Sequence, residues 1–501
     1  MPPRREYFRG IPRVPGCSRA KSLPCVTRPS PRTVPSGSFL AHTVGQTVAV
    51  SNSPRTGLAV AGLSLGTALN PLNSSMIAVA LVVLRADFGL DVATVTWVIT
   101  SFYLTSAAGQ PLMGRLADRF GPRRLFMLGM VLVAVTCALA PFAPNFAVLC
   151  VARAVMALGT AAAYPSAVVM VGALAKQANV KSTRPLGRIQ MANTSAAAVG
   201  PVVGGLLVGF VGWEALFLLN VPLALAAILL VRRYAPADGA RERGSASELL
   251  RDSDIPGILA FIGSMVLVMM ALLNVLPGYR WWLLGGGTLL AALFVWRELR
   301  FAPPFLDLRL LGRNRPLLLV YLGFALFSCV YYFAFFGLPQ LLQEAGGYDP
   351  RVVGLLVLPL AAVSVVSTPV AVRAMDRFGV KCVLVAGVVM LMAASAAMWL
   401  LTASFAIPLV VALTALLGVP YGVASIAYNQ GMYLSTRPEE RGVAAGIFQT
   451  CRYLGAITAT VLIGIFYGTG VNQANWGLMV FAMLGLGGVV LAVSLLWRER
   501  R

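Results

Sequence analysis

The sequence predicts an all-α polytopic membrane protein of 14 spans, in which two six-helix halves flank two inserted helices. Three observations predict this fold: the composition, a charged loop that occurs twice, and the uneven placement of the basic residues. Apolar residues make up 58% of the chain and charged residues only 12%, and the mean hydropathy is +0.80. Soluble domains are nearer ~45–50% apolar and ~25% charged. A chain that lies mostly in lipid is therefore favoured.

Fourteen apolar segments are candidates for membrane helices. They run roughly over 57–84, 92–113, 125–143, 146–171, 190–211, 214–231, 255–276, 281–296, 316–342, 352–372, 382–401, 405–434, 442–467 and 476–497. The eighth segment is shorter than the ~20 residues that a full crossing needs. It is flanked by Trp281 and Trp296, and tryptophans are typical of the two membrane interfaces.

A charged loop recurs in the second half of the chain. Residues 114–124 read Gly-Arg-Leu-Ala-Asp-Arg-Phe-Gly-Pro-Arg-Arg, and residues 369–381 repeat the skeleton at a constant offset of 258 positions. The matched pairs are Pro111 with Pro369, Arg115 with Arg373, Asp118 with Asp376, Arg119 with Arg377, Phe120 with Phe378 and Gly121 with Gly379. The repeat indicates two related halves, with span 3 corresponding to span 11, which is the layout of an alternating-access protein.

The chain therefore divides into four predicted parts. They are a disordered basic tail (1–55), a first six-helix half (56–233), two inserted helices (254–297) and a second six-helix half (314–497). The tail is rich in Pro, Ser and Arg and lacks the apolar core of a secretory signal. An alternative is that the natural start lies later, near Val48 or Val50. We assign the tail no function.

Basic residues mark one side of the membrane. With the N-terminus inside, the inner loops hold 26 Lys and Arg, whereas the outer loops hold only Arg85, Arg280 and Arg351. This asymmetry predicts an even number of spans and a multi-pass cell-membrane protein with both termini cytoplasmic. The formal net charge of +22 is interpreted as topology and contact with membrane lipid. Nucleic-acid binding is not expected, because no stretch could fold as a basic soluble domain.

Enzyme chemistry and bound cofactors are not predicted. The single histidine, His42, lies in the tail, and the seven cysteines show no metal-ligand spacing. No Gly-x-x-x-x-Gly-Lys-Ser/Thr string occurs, so ATP does not drive this chain directly. A membrane enzyme would need a nucleophile with a base, or a pair of acids, within the spans. A receptor or scaffold remains an alternative, and it would show no substrate flux.

Five strings carry a family resemblance from about residue 57 to the end. They are 114–124, Gly-Pro-Val-Val-Gly-Gly at 200–205, Trp-Glu-Ala-Leu-Phe-Leu-Leu-Asn-Val-Pro at 213–222, Pro-Phe-Leu-Asp-Leu-Arg-Leu-Leu at 304–311 and Arg-Gly-Val-Ala-Ala-Gly at 441–446. The chain resembles the major facilitator superfamily, of the 14-spanner drug:proton antiporter type. The resemblance implies a monomeric secondary transporter that exports amphipathic small molecules by alternating access. The alternative is a transporter of one anionic or neutral metabolite, without the usual carboxylate coupling to protons.

The resemblance also suggests gating residues. They are Gly114, Arg115, Asp118, Arg119, Gly121, Arg123, Arg124, Asp376 and Arg377. Asp118 is expected to face the positive end of span 13 near Arg441, and Gly114 to allow close helix packing. Arg123 and Arg124 are as well explained by topology. In the fifth span, Gly200, Pro201, Gly204 and Gly205 form the antiporter-type string, although ordinary membrane packing uses the same residues.

No acid is expected at mid-membrane. Asn73 stands about where the drug antiporters usually carry one, which puts the usual proton coupling in doubt, and Asn73→Asp is expected to shift preference towards cations. The embedded charges are Arg153 and Arg452, each of which either touches the cavity or caps polar groups between helices. The other substrate-pathway candidates, each as well explained by interhelical hydrogen bonds, are Asn70, Asn73, Tyr103, Gln110, Asn193, Tyr421, Tyr428, Asn429 and Gln430. Anionic or neutral amphiphiles are accordingly predicted in preference to quaternary cations.

Overall fold

The computed structural model describes residues 54–177, 183–238, 254–273, 275–276, 278–300, 308–437, 441–468 and 470–497. The predicted tail up to residue 53 lies outside these residues, as do 304–307. The α-helices are α1 (Pro54–Phe88), α2 (Val92–Val95), α3 (Trp97–Phe120), α4 (Pro122–Leu139), α5 (Phe146–Ala161), α6 (Ala163–Gln177), α7 (Thr183–Phe210), α8 (Glu214–Leu218), α9 (Asn220–Tyr234), α10 (Ile255–Leu272), α11 (Arg280–Glu298), α12 (Leu308–Arg313), α13 (Arg315–Glu344), α14 (Pro350–Phe378), α15 (Val380–Ala397), α16 (Ile407–Leu434), α17 (Arg441–Phe466) and α18 (Gln473–Leu496). The described residues contain no strand, so an all-α fold is confirmed.

Twelve helical segments in the described chain are long and apolar enough to cross a membrane. Three of them join two helices, α2 with α3, α5 with α6 and α8 with α9, and the others are α1, α4, α7 and α13–α18. The inserted pair, α10 and α11, is helical where two spans are predicted, but neither helix is among the twelve. Length and composition thus identify twelve candidate spans among the described residues, and the count of 14 stays a prediction.

The two halves repeat one pattern of helix pairing. In the first half α1 packs on α7 and α9, and in the second half α13 packs on α17 and α18, their counterparts in the repeat. The halves meet symmetrically, because α7 packs on α14 while α3 packs on α17. The fifth span of each half therefore contacts the second span of the other, as two duplicated units facing each other require.

The repeated loop has the same backbone in both halves. Gly121 joins α3 to α4 with φ 98°, and Gly379 joins α14 to α15 with φ 82°. Glycine is the residue that adopts such positive φ values without steric cost. The repeat seen in the sequence is thus a repeated helix–glycine–helix corner. The side of the bundle that carries both corners is called the Gly121 face below.

The opposite side, called the Arg351 face, carries the ends of α1, α7, α13 and α17 and the starts of α3, α5, α14 and α18. Several helices there begin with a side-chain cap. Asn145 accepts from the Val148 N–H at 3.0 Å, and Asn472 accepts from the Asn475 N–H at 2.9 Å. Such caps satisfy amides that a helix start leaves without an intrahelical partner.

Candidate functional site

The halves are joined by polar contacts that cluster towards the Arg351 face. These contacts are the Arg85–Glu344 ion pair at 2.7 Å, Gln343 Nε2 donating to Val79 O at 2.9 Å, the Thr100 and Thr460 hydroxyls 3.0 Å apart, and Arg351 donating to Gly209 O. Each joins a helix of the first half to one of the second. The structure is therefore closed between the halves at the Arg351 face.

Small residues allow this closure. Gly205 on α7 lies against Gly354 on α14, and a Cβ added at Gly205 would lie 3.2 Å from the Gly354 Cα. Gly204, one residue earlier, faces the other way. A Cβ there would lie 2.7 Å from the Met76 carbonyl oxygen on α1, in the same half. The adjacent glycines of the antiporter-type string thus serve two contacts, one within a half and one between the halves.

Gly200 and Pro201 complete this arrangement. A Cβ added at Gly200 would meet the Ser75 side chain on α1, and a Cβ at Gly354 would lie 2.5 Å from the Pro201 carbonyl oxygen. The string therefore brings α7 close to α1 on one side and to α14 on the other. Gly114 makes no such approach in this structure, because a Cβ there would meet only the Pro165 Cβ at 3.9 Å.

The predicted gating loop is held by a carboxylate that the sequence did not single out. Asp238, beyond the end of α9, accepts the Arg123 and Arg124 N–H groups, each at 3.0 Å. One of these amides is part-buried and the other exposed, and both belong to the first turn of α4, where a negative charge is favourable. The Arg123 guanidinium donates to the Arg232 carbonyl oxygen. The loop is thus tied to the end of α9 within its own half.

Replacing this carboxylate is expected to loosen the start of α4. Asp238→Ala removes two hydrogen bonds to a charged acceptor, at a cost of about 1–3 kcal/mol, nearer the lower value because the site is half-buried. Hydrogen exchange of the α4 amides should quicken and the unfolding temperature should fall. The control is Asp376→Ala, since Asp376 is an exposed acid beside the matching corner. Equal protection of α4 in both variants would contradict this role for Asp238.

The other loop residues lie at the same face. Arg115 and Arg119 are half-buried on α3 and make contacts there, whereas Asp376 and Arg377 are exposed on α14. Asp118 lies three residues before Gly121 in α3, but its side chain is outside the described set, as is that of Arg441. The predicted contact between Asp118 and the start of α17 therefore stays a prediction.

Asn73 does not face the partner half. Its Nδ2 donates to Asn220 Oδ1 at 2.6 Å and to Leu69 O at 2.8 Å, and its Oδ1 accepts from Asn220 Nδ2 at 2.8 Å. Both amides are buried, between α1 and α9 of the first half. Asn70 is similarly enclosed in this half, because its Nδ2 donates to Thr160 Oγ1 at 3.0 Å. These amides join helices of one half.

Arg153 is also buried within the first half. Only 2% of it is exposed, its Nε donates to Val98 O at 3.2 Å, and its guanidinium carbon lies 4.6 Å from the Phe102 ring centroid. Its Nη2 has no hydrogen-bond partner among the described groups. Arg153 thus lies in the wall formed by α3 and α5, behind the residues that face the second half.

Arg452 lies where the halves meet. It is half-buried on α17, and its guanidinium carbon is 5.3 Å from the Tyr453 ring centroid. Tyrosines of both halves interact electrostatically with it, at mid-height in the bundle. They are Tyr103 of α3, Tyr331 and Tyr332 of α13, Tyr421 of α16 and Tyr453 of α17. These five tyrosines and Arg452 are called the aromatic site below.

The rings of the aromatic site contact each other across the two halves. The Tyr103 centroid is 5.7 Å from that of Tyr332 and 5.6 Å from that of Tyr453, and Tyr331 stacks on Tyr421 at 3.6 Å. Gln110 of α3 donates from Nε2 to the Tyr453 hydroxyl at 2.7 Å. The structure thus brings together four candidates from three spans: Tyr103 and Gln110 of α3, Tyr421 of α16 and Arg452 of α17.

Three members of the aromatic site were missed by sequence reasoning. Tyr331, Tyr332 and Tyr453 are buried in the middle of apolar helices, where an aromatic residue is first read as core. A usable signal was present in the run Tyr331-Tyr332-Phe333-Ala334-Phe335-Phe336. Two adjacent hydroxyls at mid-span need polar partners in lipid.

The remaining candidates do not join this site by any described contact. The Tyr428 hydroxyl lies 2.9 Å from the Ser494 hydroxyl within the second half. Asn429 is half-buried and Gln430 is exposed. Asn193 on α7 has a buried Oδ1 without a partner among the described groups. No contact described for Asn193 indicates a role for it.

The acids of the described chain lie at helix ends. They are Asp87, Asp91, Asp118, Glu214, Asp238, Asp254, Glu298, Glu344, Asp349 and Asp376. The described residues contain no cluster of His, Cys, Asp or Glu that could hold a metal.

The embedded arginines have no acidic partner in this part of the chain. No ion pair among the described side chains includes Arg153 or Arg452. The embedded fixed charge of this part of the chain is therefore positive.

Comparison with known proteins gives the family. The sequence profile described as Major Facilitator Superfamily matches residues 63–460. The chain belongs to the major facilitator superfamily. It is 36% identical over 439 residues to the uncharacterized MFS-type transporter YwoD of Bacillus subtilis (strain 168), an alignment that covers 86% of this chain and 94% of that protein. A transporter rather than an enzyme is consistent with this family.

A named export protein and a solved structure extend the comparison. The chain is 28% identical over 448 residues to the tetracenomycin C resistance and export protein of Streptomyces glaucescens, covering 85% of this chain and 79% of that one. It also superposes on a crystal structure of a variant of the nucleoside transporter NupG, with a TM-score of 0.62, 13% identity and coverage of 87% and 99%. At that identity the likeness shows the fold alone. This superfamily member is thus a multi-pass membrane protein with a transporter fold.

Proposed function

We propose that this superfamily member is a secondary active transporter that exports amphipathic small molecules by alternating access. The observation that carries the proposal is the arrangement of the halves. They meet symmetrically and are closed against each other at the Arg351 face, with a polar aromatic site at mid-height between them. A substrate held there contacts helices of both halves, so its contacts change when the halves rock. The named export activity of the Streptomyces relative supports this function.

The proposed topology has 14 spans and cytoplasmic termini. Helices α10 and α11 contain 18 and 19 residues, which at ~1.5 Å per residue gives roughly 27–29 Å. That length nearly matches the ~30 Å of the hydrocarbon core. With this orientation the Arg351 face, where the halves are closed, is external. Protons are the candidate coupling ions of an antiporter in the cell membrane.

The second candidate function is transport of one anionic or neutral metabolite without carboxylate coupling. The observation that favours it is the positive embedded charge: both embedded arginines lack an ion pair among the described side chains. A drug antiporter of the usual type needs an acid that takes up and releases a proton. The two candidate functions differ in how many unrelated compounds the protein moves.

Reconstitution tests the proposed function. Purified protein in liposomes should move some members of a panel of anionic, neutral and cationic amphiphiles, with saturable rates. Activity towards several unrelated compounds supports multidrug export, and activity towards one supports the metabolite transporter. An imposed pH gradient should change the rate if protons couple. If folded protein moves no compound faster than protein-free liposomes do, the receptor or scaffold alternative is favoured.

The proposed gate predicts unequal roles for the two matching acids. Asp118→Asn should leave the protein inserted but reduce transport strongly, since it removes a charge predicted to face a helix start. The charge itself is worth ~0.3–1 kcal/mol, or more when buried. Asp376→Asn should have a smaller effect, because Asp376 is exposed. Its loop also lacks the glycine, since Val372 stands at the position that matches Gly114. Initial export rates in liposomes give the comparison. Equal rates for the two variants would exclude this gating role.

A further inference from the structure

The aromatic site contains a positive charge without a counter-charge. The Arg452 Nε is buried and has no hydrogen-bond acceptor, and the groups that interact with its guanidinium are tyrosines. The Tyr103 hydroxyl, on a side chain only 2% exposed, makes no hydrogen bond of normal geometry, although the Ser74 and Tyr332 side chains lie beside it. A membrane-embedded arginine is costly unless a partner or water satisfies it. The site thus holds a buried guanidinium N–H without an acceptor and a positive charge without a counter-charge.

The walls of the aromatic site are flat. The Tyr103 ring packs edge-to-face against Tyr332 at a centroid distance of 5.7 Å and is tilted against Tyr453 at 5.6 Å, and the Phe336 centroid lies 6.2 Å from that of Tyr103. Offset-stacked and edge-to-face contacts with such rings favour a planar aromatic ligand over an aliphatic one of equal size. The rings come from both halves, so a bound ring would bridge the halves.

Charge decides which aromatic ligand fits. Tyrosine rings alone attract cations through their negative faces, so an aromatic cage without Arg452 would favour a cationic ligand. Arg452 reverses this preference, because a like charge in a low-dielectric site is strongly repelled while a carboxylate or sulfonate can pair with the guanidinium in two parallel hydrogen bonds. Arg153, 2% exposed in the wall of the first half, adds a second positive charge to the surroundings.

We infer that the aromatic site binds planar aromatic anions, with Arg452 pairing with the acidic group and the tyrosine rings holding the aromatic body. The inference rests on the proposed transport function and names its substrate class. Arg452 is the residue that determines charge specificity. Without it the same rings would accept aromatic cations.

A charge series on one ring system tests this inference. Binding of 2-naphthoate, 2-naphthamide and N,N,N-trimethyl-2-naphthylammonium to the purified protein is measured by calorimetry. The carboxylate should bind about 10- to 100-fold more tightly than the trimethylammonium compound. This comparison needs no variant, so it decides the question even if substitutions at the site impair folding. Equal affinity, or tighter binding of the cation, overturns the inference.

Variants then locate the effect. Arg452→Gln should lose most of the affinity for the carboxylate and gain affinity for the trimethylammonium compound, while Arg452→Lys should keep part of the anion preference. Tyr103→Phe removes only a hydroxyl and should weaken anion binding by a few-fold. The control is Arg233→Gln, which removes an exposed charge at the end of α9 and should leave all three affinities unchanged. Unaltered anion preference in Arg452→Gln overturns the assignment.

Transport measured in parallel separates this inference from the function on which it rests. If the liposomes export other compounds but the protein binds no naphthoate, the substrate class is wrong and the transport function stands. If the protein binds naphthoate through Arg452 but exports nothing, the site stands and the transport function is wrong.

Discussion

Gly205→Leu should leave the protein folded but should reduce the fraction of it that is closed at the Arg351 face. The added side chain would enter the crossing of α7 and α14, where even a Cβ lies 3.2 Å from the Gly354 Cα. The contact joins two halves that must separate during transport. The halves can therefore relieve the added bulk by moving apart at this face, without unfolding either half. Overpacking of about 1–3 kcal/mol against the closed conformation changes its population by roughly 5- to 150-fold. Export should fall accordingly.

Cross-linking measures the closure directly. The Thr100 and Thr460 hydroxyls lie 3.0 Å apart between the halves, so Thr100→Cys with Thr460→Cys should form a disulfide only in the closed conformation, in a background without the native cysteines. Gly205→Leu should slow this cross-link. Gly485→Leu is the matched control, because a Cβ at this exposed glycine of α18 would meet nothing within 4 Å.

The neighbouring glycine should behave differently. Gly204 faces α1 inside the first half, and a Cβ there would lie 2.7 Å from the Met76 carbonyl oxygen, so Gly204→Leu should reduce the amount of folded protein. If both leucine variants fold equally well and cross-link normally, the assignment of the two glycines to different contacts is wrong.

Asn73→Asp should destabilise the protein and should not create a cation site. The new carboxylate oxygen would take the place of Nδ2, which lies 2.6 Å from Asn220 Oδ1 and 2.8 Å from Leu69 O. The Asn220 Oδ1 and Leu69 O acceptors would then both face a carboxylate oxygen, which is also an acceptor. Protonation of the carboxylate would supply one donor and so satisfy only one of the two. The loss is expected to be ~3 kcal/mol or more. The position is buried between α1 and α9, so the geometry does not favour the shift towards cations that the sequence alone suggested.

Thermal unfolding of the purified variants checks this expectation. The double variant Asn73→Leu with Asn220→Leu is the control, since replacing both partners of a hydrogen-bonded pair by apolar groups can be nearly neutral. It should unfold closer to the unaltered protein than Asn73→Asp does. An Asn73→Asp protein of unchanged stability that exports cations with a new pH dependence would show that Asn73 faces the substrate path.

Much of the fold could be predicted from local sequence. The twelve spanning segments coincide with twelve of the 14 predicted spans, because apolar runs long enough to cross lipid are recognisable without knowing their neighbours. The repeated loop predicted two related halves, and Gly121 and Gly379 have the same left-handed backbone in both. The sequence also predicted that the acids lie near helix ends, because that depends only on their position along each helix.

The direction in which a mid-span side chain points was decided by the tertiary structure. Arg153 and Arg452 are alike in sequence context, each a lone cation in an apolar helix, yet one lies in the wall of a half and the other between the halves. Asn73 was singled out by its position, but Asn220, 147 residues later, takes up its amide. Asp238 holds a loop 115 residues earlier in the chain. Helical periodicity determines which residues share a face, whereas the packing of distant helices determines what that face meets.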